Sequence, residues 1–170
     1  MLGIGGKELS EENAAQTAKA LNIIQPDFIR VHATGIKLES KPGEFVRDGS
    51  FTLQSEEEIV IEQKLFLQQL HEMDSYYVNE HIVNLLLEVR GNLRTEKQEM
   101  LSTIDRFLTL PPDERLLFTV GRRLNIFFRL DDLKKPKLHQ KAGESLQQIL
   151  SKNPHVDFAA LCNYVRQSQI

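Results

Sequence analysis

The sequence predicts a mostly helical α+β protein with a few strands. Apolar residues recur at three- and four-residue spacing through most of the chain, and helix-start signals precede several of these stretches. Only two short runs have strand character, residues 28–33 and 75–78. With 170 residues, 41% of them hydrophobic, the chain is long enough to bury a core without disulfide or metal support.

A glycine-rich turn precedes the first predicted helix. Three of residues 3–6 are glycine, and Ser10 is predicted to be the N-cap of the helix that follows. Pro26 and Asp27 end that helix just before the strand at 28–33. A turn, a helix and a strand in this order form the second half of a βαβ crossover.

The middle of the chain is predicted to alternate loops and helices. The segment after Gly35 is mostly loop, with one helical turn near Phe45. A capping box over 55–58 begins a helix that should run to about residue 72. A further helix is predicted over 80–89, with a turn at 91–92.

The C-terminal part is predicted to be helical throughout. A second capping box over 95–98 starts one helix, and the next begins at the prolines 111–112 and pauses at Gly121. Two more helices follow, one near 138–149 and one capped by Asp157. The apolar stripe of the last helix consists of Phe158, Leu161, Cys162 and Val165.

Composition excludes several classes of protein. A net charge of −3 argues against general nucleic-acid binding, so no nucleic-acid partner is predicted. No apolar run is long enough to cross a membrane, and no signal-peptide pattern is present. One cysteine rules out an internal disulfide and fits a reducing compartment, so a cytoplasmic protein without membrane contact is predicted.

No catalytic residue and no metal site are predicted from the residues alone. Cys162 lies on an apolar stripe and is expected to be buried and inert. The five histidines are scattered, and none pairs at the spacing of a helical zinc site. The glycine turn is neither a Walker loop nor a dinucleotide fingerprint. His32 differs because it lies near the C-terminal end of the first strand, the end that faces ligands in parallel sheets.

A series of short motifs gives the chain a family resemblance. They are LGIGGKE at 2–8, SEE at 10–12, NIIQPDFIRVH at 22–32, KPG at 41–43, GSFTL at 49–53 with SEEE at 55–58, YVNEH at 77–81, VGRR at 120–123 and LDDL at 130–133. In this order they resemble the later part of the catalytic domain of radical S-adenosylmethionine proteins, in particular an uncharacterised bacterial and archaeal subgroup. The resemblance covers about residues 1–133.

The resemblance implies a fold and a division of the chain. Residues 1–54 would be the last βα units of a partial (β/α)₆ barrel, 55–133 a helical extension and 134–170 a C-terminal helical pair. The glycine turn would follow the fifth barrel strand, and the strand at 28–33 would be the sixth. The family's three cysteines, which hold a [4Fe–4S] cluster, would lie upstream, so this chain is expected to be a C-terminal fragment.

The resemblance also implies cofactor contacts. Gly3, Gly5 and Gly6 would lie beside S-adenosylmethionine, and Glu8 would match an acidic residue of the family's fifth-strand motif. Val31 and His32 would meet the adenine through backbone groups. His32 stands where relatives often carry Arg, and 79–80 differ from the family's Ser-Asp.

The parent protein would reductively cleave S-adenosylmethionine and act on an unknown small-molecule or protein substrate, while this chain alone would bind neither cofactor and be inactive. Exposed apolar surface or open sheet edges are expected to favour a homodimer.

Two alternatives to this function stay open. One is a stand-alone helical protein-interaction module, and the other is an enzyme that uses His32, Glu80 and His81.

Overall fold

A computed structural model describes residues 1–169 and confirms a mostly helical α+β fold. Within this range there are seven α-helices, a 3₁₀ helix over Leu130–Lys134 and three short strands. The helices are α1 (Ser10–Ile24), α2 (Lys41–Arg47), α3 (Glu56–Gln69), α4 (Lys97–Leu108), α5 (Pro112–Arg123), α6 (Pro136–Lys152) and α7 (Phe158–Ser168). The strands are β1 (Phe28–Arg30), β2 (Tyr76–Val78) and β3 (Gly91–Asn92).

The small sheet has the strand order β1-β2-β3. β1 and β2 run parallel, and β3 pairs antiparallel to β2. On the other side of β1, Leu2 forms an isolated parallel bridge with Ala33. Leu2 donates its N–H to the carbonyl of His32 at 2.9 Å and accepts the N–H of Thr34 at 2.8 Å. The strand predicted at 28–33 is therefore shorter than expected and is continued by this bridge.

Helices cover one face of the sheet. Ala14 and Ala18 are buried on α1, whose small side chains allow close packing against α3. Tyr77 of β2 is fully buried, packs near the Phe66 ring of α3 and accepts a hydrogen bond at its hydroxyl from Gln63 at 3.0 Å. The hydrophobic core extends from this layer to α4, α5 and the segment after α5.

Several helix boundaries are confirmed. The capping box at Ser55 is complete, because its hydroxyl accepts the N–H of Glu58 and the Glu58 carboxylate accepts the N–H of Ser55. Asp157 caps α7 through bonds to two backbone amides. The predicted helical turn near Phe45 is α2, and the strand predicted at 75–78 is β2.

The predicted helix over 80–89 is wrong, because this segment is irregular. Most of the carbonyl groups in its middle accept hydrogen bonds from side chains instead of helical amides. Arg122 and Arg123 together bind the carbonyls of residues 82–85. The side chain of Asn79 donates to the Leu86 carbonyl at 2.6 Å. An apolar pattern therefore lies on a loop whose backbone is satisfied by buried polar side chains.

Four local predictions near helix ends are also wrong. Ser10 is the first residue of α1 and does not cap it, since its hydroxyl binds another side chain. α4 begins at Lys97 without a side-chain cap, so the box predicted over 95–98 does not form. The turn predicted at 91–92 is β3. α5 does not pause at Gly121, where a β-carbon would lie 2.3 Å from the Phe127 ring.

The last helix buries a different set of residues from the predicted stripe. Cys162 is buried as expected, but Phe158, Leu161 and Val165 are only partly buried. Polar Asn163 and Arg166 are buried in their place.

None of the helices in the described residues is both long and apolar enough to cross a membrane.

Candidate functional site

The glycine turn joins the Leu2 bridge to α1. Gly3 and Gly6 have positive φ angles of 79° and 63°, a conformation that favours glycine. A β-carbon on Gly5 would lie 2.9 Å from the carbonyl oxygen of Leu9. All three glycines predicted to contact a cofactor are therefore required by the turn itself.

The turn binds a carboxylate that belongs to the protein. Glu62 of α3 is fully buried, and its Oε1 accepts the N–H of Gly3 at 3.1 Å and the Asn13 amide at 2.7 Å. Its Oε2 accepts the Ser10 hydroxyl at 2.9 Å. Three donors from the turn and α1 thus surround one internal carboxylate, and this arrangement fixes the turn on α3.

Sequence reasoning missed Glu62, although a signal was present. Glu62 lies three residues after Ile59 and four before Phe66, on the apolar stripe of α3. A carboxylate at such a position requires buried donors, because burying a charge without hydrogen bonds is costly. The sequence does not show that those donors come from the glycine turn.

Glu8 lies outside this network and is exposed to solvent. A hydrogen bond from the Thr52 side chain holds the pKa of Glu8 below its usual value. The backbone N–H of Lys7 donates to the Thr52 carbonyl at 3.0 Å, and a β-carbon on Gly6 would approach the same carbonyl oxygen to 3.0 Å. This side of the turn therefore packs on the segment that precedes α3.

Val31 and His32 lie just beyond the end of β1. Both backbone groups of Val31 are used inside the protein: its N–H donates to the Val78 carbonyl at 3.0 Å, and its carbonyl accepts the Asn84 amide at 2.9 Å. The Asn84 side chain also accepts the N–H of Ala33 at 2.7 Å. One asparagine thus mimics a neighbouring strand at the point where the sheet ends.

His32 and His81 meet at the C-terminal ends of the two parallel strands. Their ring centroids are 4.1 Å apart, and the rings are stacked at 28°. Burial lowers the pKa of His32, and the neighbouring charges of His81 and Arg30 lower it further. The structure therefore brings together two of the three residues of the enzyme alternative, while Glu80 forms an ion pair with Arg90 on the protein surface.

Within residues 1–169, no helix covers the second face of the parallel pair. Phe28 is 70% exposed and Tyr76 is 41% exposed, and both alternate with buried neighbours on their strands. A cleft of about 420 Å³ adjoins this face. Its lining residues are Tyr76, Glu80, Leu87, Glu88, Arg90, Glu96, Phe128 and Arg129.

Glu88 is the most buried acid of this cleft. Burial raises the pKa of its carboxyl group, and the N–H of Leu130 donates to it at 3.0 Å. Arg90 and Arg129 lie on the same wall as Glu80 and Glu96. Both signs of charge therefore line the cleft, which by itself selects no single class of ligand.

The predicted burial of the cysteine is confirmed. Cys162 is 2% exposed, and burial raises the pKa of its thiol to about 12. Among residues 1–169, no group of three or more His, Cys, Asp or Glu side chains is arranged to hold a metal ion.

Comparison with known proteins finds no similar family profile, no similar curated protein and no similar solved structure.

Proposed function

We propose that this chain is the C-terminal portion of a radical S-adenosylmethionine protein and that it does not catalyse the radical reaction alone. The parent would reductively cleave S-adenosylmethionine to begin radical chemistry on its substrate. The motifs from residue 2 to residue 133 are the source of this proposal, and one feature of the sheet supports it.

That feature is a parallel pair of strands with one uncovered face and one partly empty edge. All-parallel sheets occur almost only where both faces are covered, and β1 and β2 are the parallel part of this mixed sheet. Here Ile29 and Tyr77 face helices, whereas Phe28 and Tyr76 on the opposite face are exposed. A parallel pair in this condition is what a larger α/β domain would contain at its interior.

The edge of β1 points to the same conclusion. The backbones of Asp27 and Val31 bond to β2, so by alternation those of Phe28 and Arg30 point to the other edge. On that edge, within the described residues, only the Leu2 bridge pairs with the chain beyond β1. A strand running parallel to β1 and leading into Leu2 would pair with the remainder.

The connections also follow the order of a βα barrel. Leu2 is joined to β1 through α1, and β1 is joined to β2 through α2 and α3, with each pairing parallel. Sequential parallel neighbours joined by helices are the repeating unit of such barrels. At β3 the direction reverses, and the helical part of the chain follows.

The residues present do not fit the iron–sulfur cluster. Three thiolates are needed to hold it, and the chain has one cysteine, which is buried and has a raised pKa. Two of the residues that the resemblance places beside S-adenosylmethionine already bond within the protein, Gly3 through its N–H and Val31 through both backbone groups. We therefore assign cluster binding to the parent and no catalytic step to this chain.

The decisive experiment is to sequence the DNA upstream of Met1 in frame. An open frame encoding C-x₃-C-x₂-C would support the proposal if the longer protein, reconstituted anaerobically with iron and sulfide and reduced with dithionite, forms 5′-deoxyadenosine from S-adenosylmethionine. This chain, treated identically, is the control and should form none. A stop codon and a ribosome-binding site directly before Met1 would refute the proposal and favour the helical interaction module.

A further inference from the structure

Three buried arginines surround one buried carboxylate where α3, α5 and α7 meet. Glu56 lies in the first turn of α3, Arg122 and Arg123 end α5, and Arg166 lies in α7. Each of the four residues is at most 4% exposed. Three guanidinium groups and a single carboxylate leave an excess of positive charge in the interior.

The Glu56 carboxylate neutralises the charge of the Arg123 guanidinium directly. Arg123 donates through Nε and Nη2 to the two oxygens of Glu56 at 3.0 and 2.6 Å, a bidentate pair. Arg122 does not contact a carboxylate and instead donates to main-chain carbonyls of residues 82, 84, 85 and 127. Carbonyl oxygens satisfy its donors but do not cancel its charge.

Two nitrogens of the Arg166 guanidinium have no hydrogen-bond partner among residues 1–169. Its Nε lies 3.4 Å from Glu56 Oε1, and neither its Nε nor its Nη1 makes a hydrogen bond within residues 1–169. The Nη1 of Arg123 is likewise without a partner in that range. Burying charged donors without acceptors is strongly unfavourable, and a guanidinium keeps its proton in proteins.

The neighbouring acids are already engaged elsewhere. Glu57 pairs with Arg115 at 3.0 Å, and Asp157 accepts the first amides of α7. The same three helices border a cavity of about 190 Å³ whose wall includes Glu56 and Cys162. This cavity meets the cluster at Glu56, and in the part of the chain that the structure describes none of the three arginines lines it.

We propose that this cluster binds a small inorganic anion, which Arg166 and Arg123 hold through the nitrogens left free by Glu56. A water molecule would supply an acceptor but would leave the excess charge uncompensated, whereas an anion supplies both. Because α7 contacts the rest of the chain here and through Asn163, which bonds both backbone groups of Ile36, the bound anion would fasten α7 to the core. This inference does not depend on the proposed function.

The test is thermal unfolding of the full chain in sodium bromide against sodium gluconate at constant ionic strength. Gluconate is much larger than bromide and is expected not to fit between buried guanidinium groups, so bromide alone should give a saturable rise in Tm. A site filled at 100 times its Kd raises the folded-to-unfolded ratio about 100-fold. Arg166→Met should abolish the saturable component, and Arg94→Gln, at an exposed ion pair with Asp74, should retain it.

A crystal grown in bromide provides a second test that does not require the variant to fold. The expected result is an anomalous difference peak within hydrogen-bond distance of Arg166 Nη1. Equal effects of bromide and gluconate on Tm, or a structure with only water beside Arg166, would overturn the proposal.

Discussion

Removing the Glu62 carboxylate tests whether the glycine turn is held by an internal acceptor. In Glu62→Leu, the Gly3 N–H, the Asn13 amide and the Ser10 hydroxyl lose a common partner. A buried donor left without an acceptor costs about 1–3 kcal/mol. Asn13 keeps its bond to the Met1 carbonyl, and the Asn13 and Ser10 bonds to Glu62 are only partly buried, whereas the Gly3 bond is buried. The Gly3 N–H therefore carries the largest penalty. We expect a total loss on the order of 3 kcal/mol in the free energy of unfolding.

Glu62→Gln separates the hydrogen bonds from the charge. Its carbonyl oxygen can still accept from Gly3 and Asn13, while its amide can donate to the Ser10 hydroxyl. The expected loss is about 1 kcal/mol, the difference between charged and neutral hydrogen bonds. Glu12→Leu, at an exposed position on α1, is the matched control and should change stability by less than about 0.5 kcal/mol.

The assay is equilibrium unfolding in urea followed by far-UV circular dichroism, with hydrogen exchange at the Gly3 amide as a local measurement. We expect exchange at Gly3 to accelerate in Glu62→Leu and to change little in Glu62→Gln. A Glu62→Leu protein as stable as the Glu12→Leu control would refute the reasoning, because the carboxylate would then not hold the turn.

Three further predictions concern packing, pH and association. Gly121→Ala should lower the free energy of unfolding in urea by about 1–3 kcal/mol, because its β-carbon would overlap the Phe127 ring. Adding Phe127→Leu to the same chain should recover part of that loss. If the effects of the two substitutions on the free energy of unfolding were additive, the contact would be contradicted. Because the pKa of His32 is lowered on folding, the unfolded chain binds protons first, and stability should fall as the pH drops below about 6.5. His32→Asn should flatten this part of the profile, and an unchanged slope would show that the buried His32 imidazole is not its source. Phe28→Lys should reduce any self-association seen by sedimentation, because it places a charge beside the open edge of β1. Equal self-association of the wild-type protein and this variant would exclude that edge as the contact between two copies.

The candidate site shows both the reach and the limit of prediction from sequence. The glycine turn, the strand after α1 and the position of His32 at the end of that strand follow from local patterns and are present in the structure. The hydrogen-bond partners of the turn and of the strand end do not follow from local patterns. Gly3 and Glu62 are separated by 59 positions, and Val31 and Asn84 by 53, so each pairing exists only after the chain has folded.

The failed helix at 80–89 has the same cause. Its apolar spacing is helical, yet the carbonyls of this segment bind Arg122 and Arg123 from a helix about 40 residues away. Hydrogen bonds from the buried guanidinium groups to these carbonyls take the place of the backbone hydrogen bonds of the helix that local propensity favours. The sequence contains both partners, but nothing near either one indicates the pairing.

By itself, then, the sequence determined the helical class, the capping of α3 and α7, the buried cysteine and the order of turn, helix and strand at the N-terminus, because each depends on residues a few positions apart. Only the tertiary structure decided where the buried charges pair, that the glycine turn encloses an internal carboxylate and that one face of the parallel strands is uncovered. These features depend on groups distant in the chain, and the cost of burying a polar group without a partner decides which of them come together.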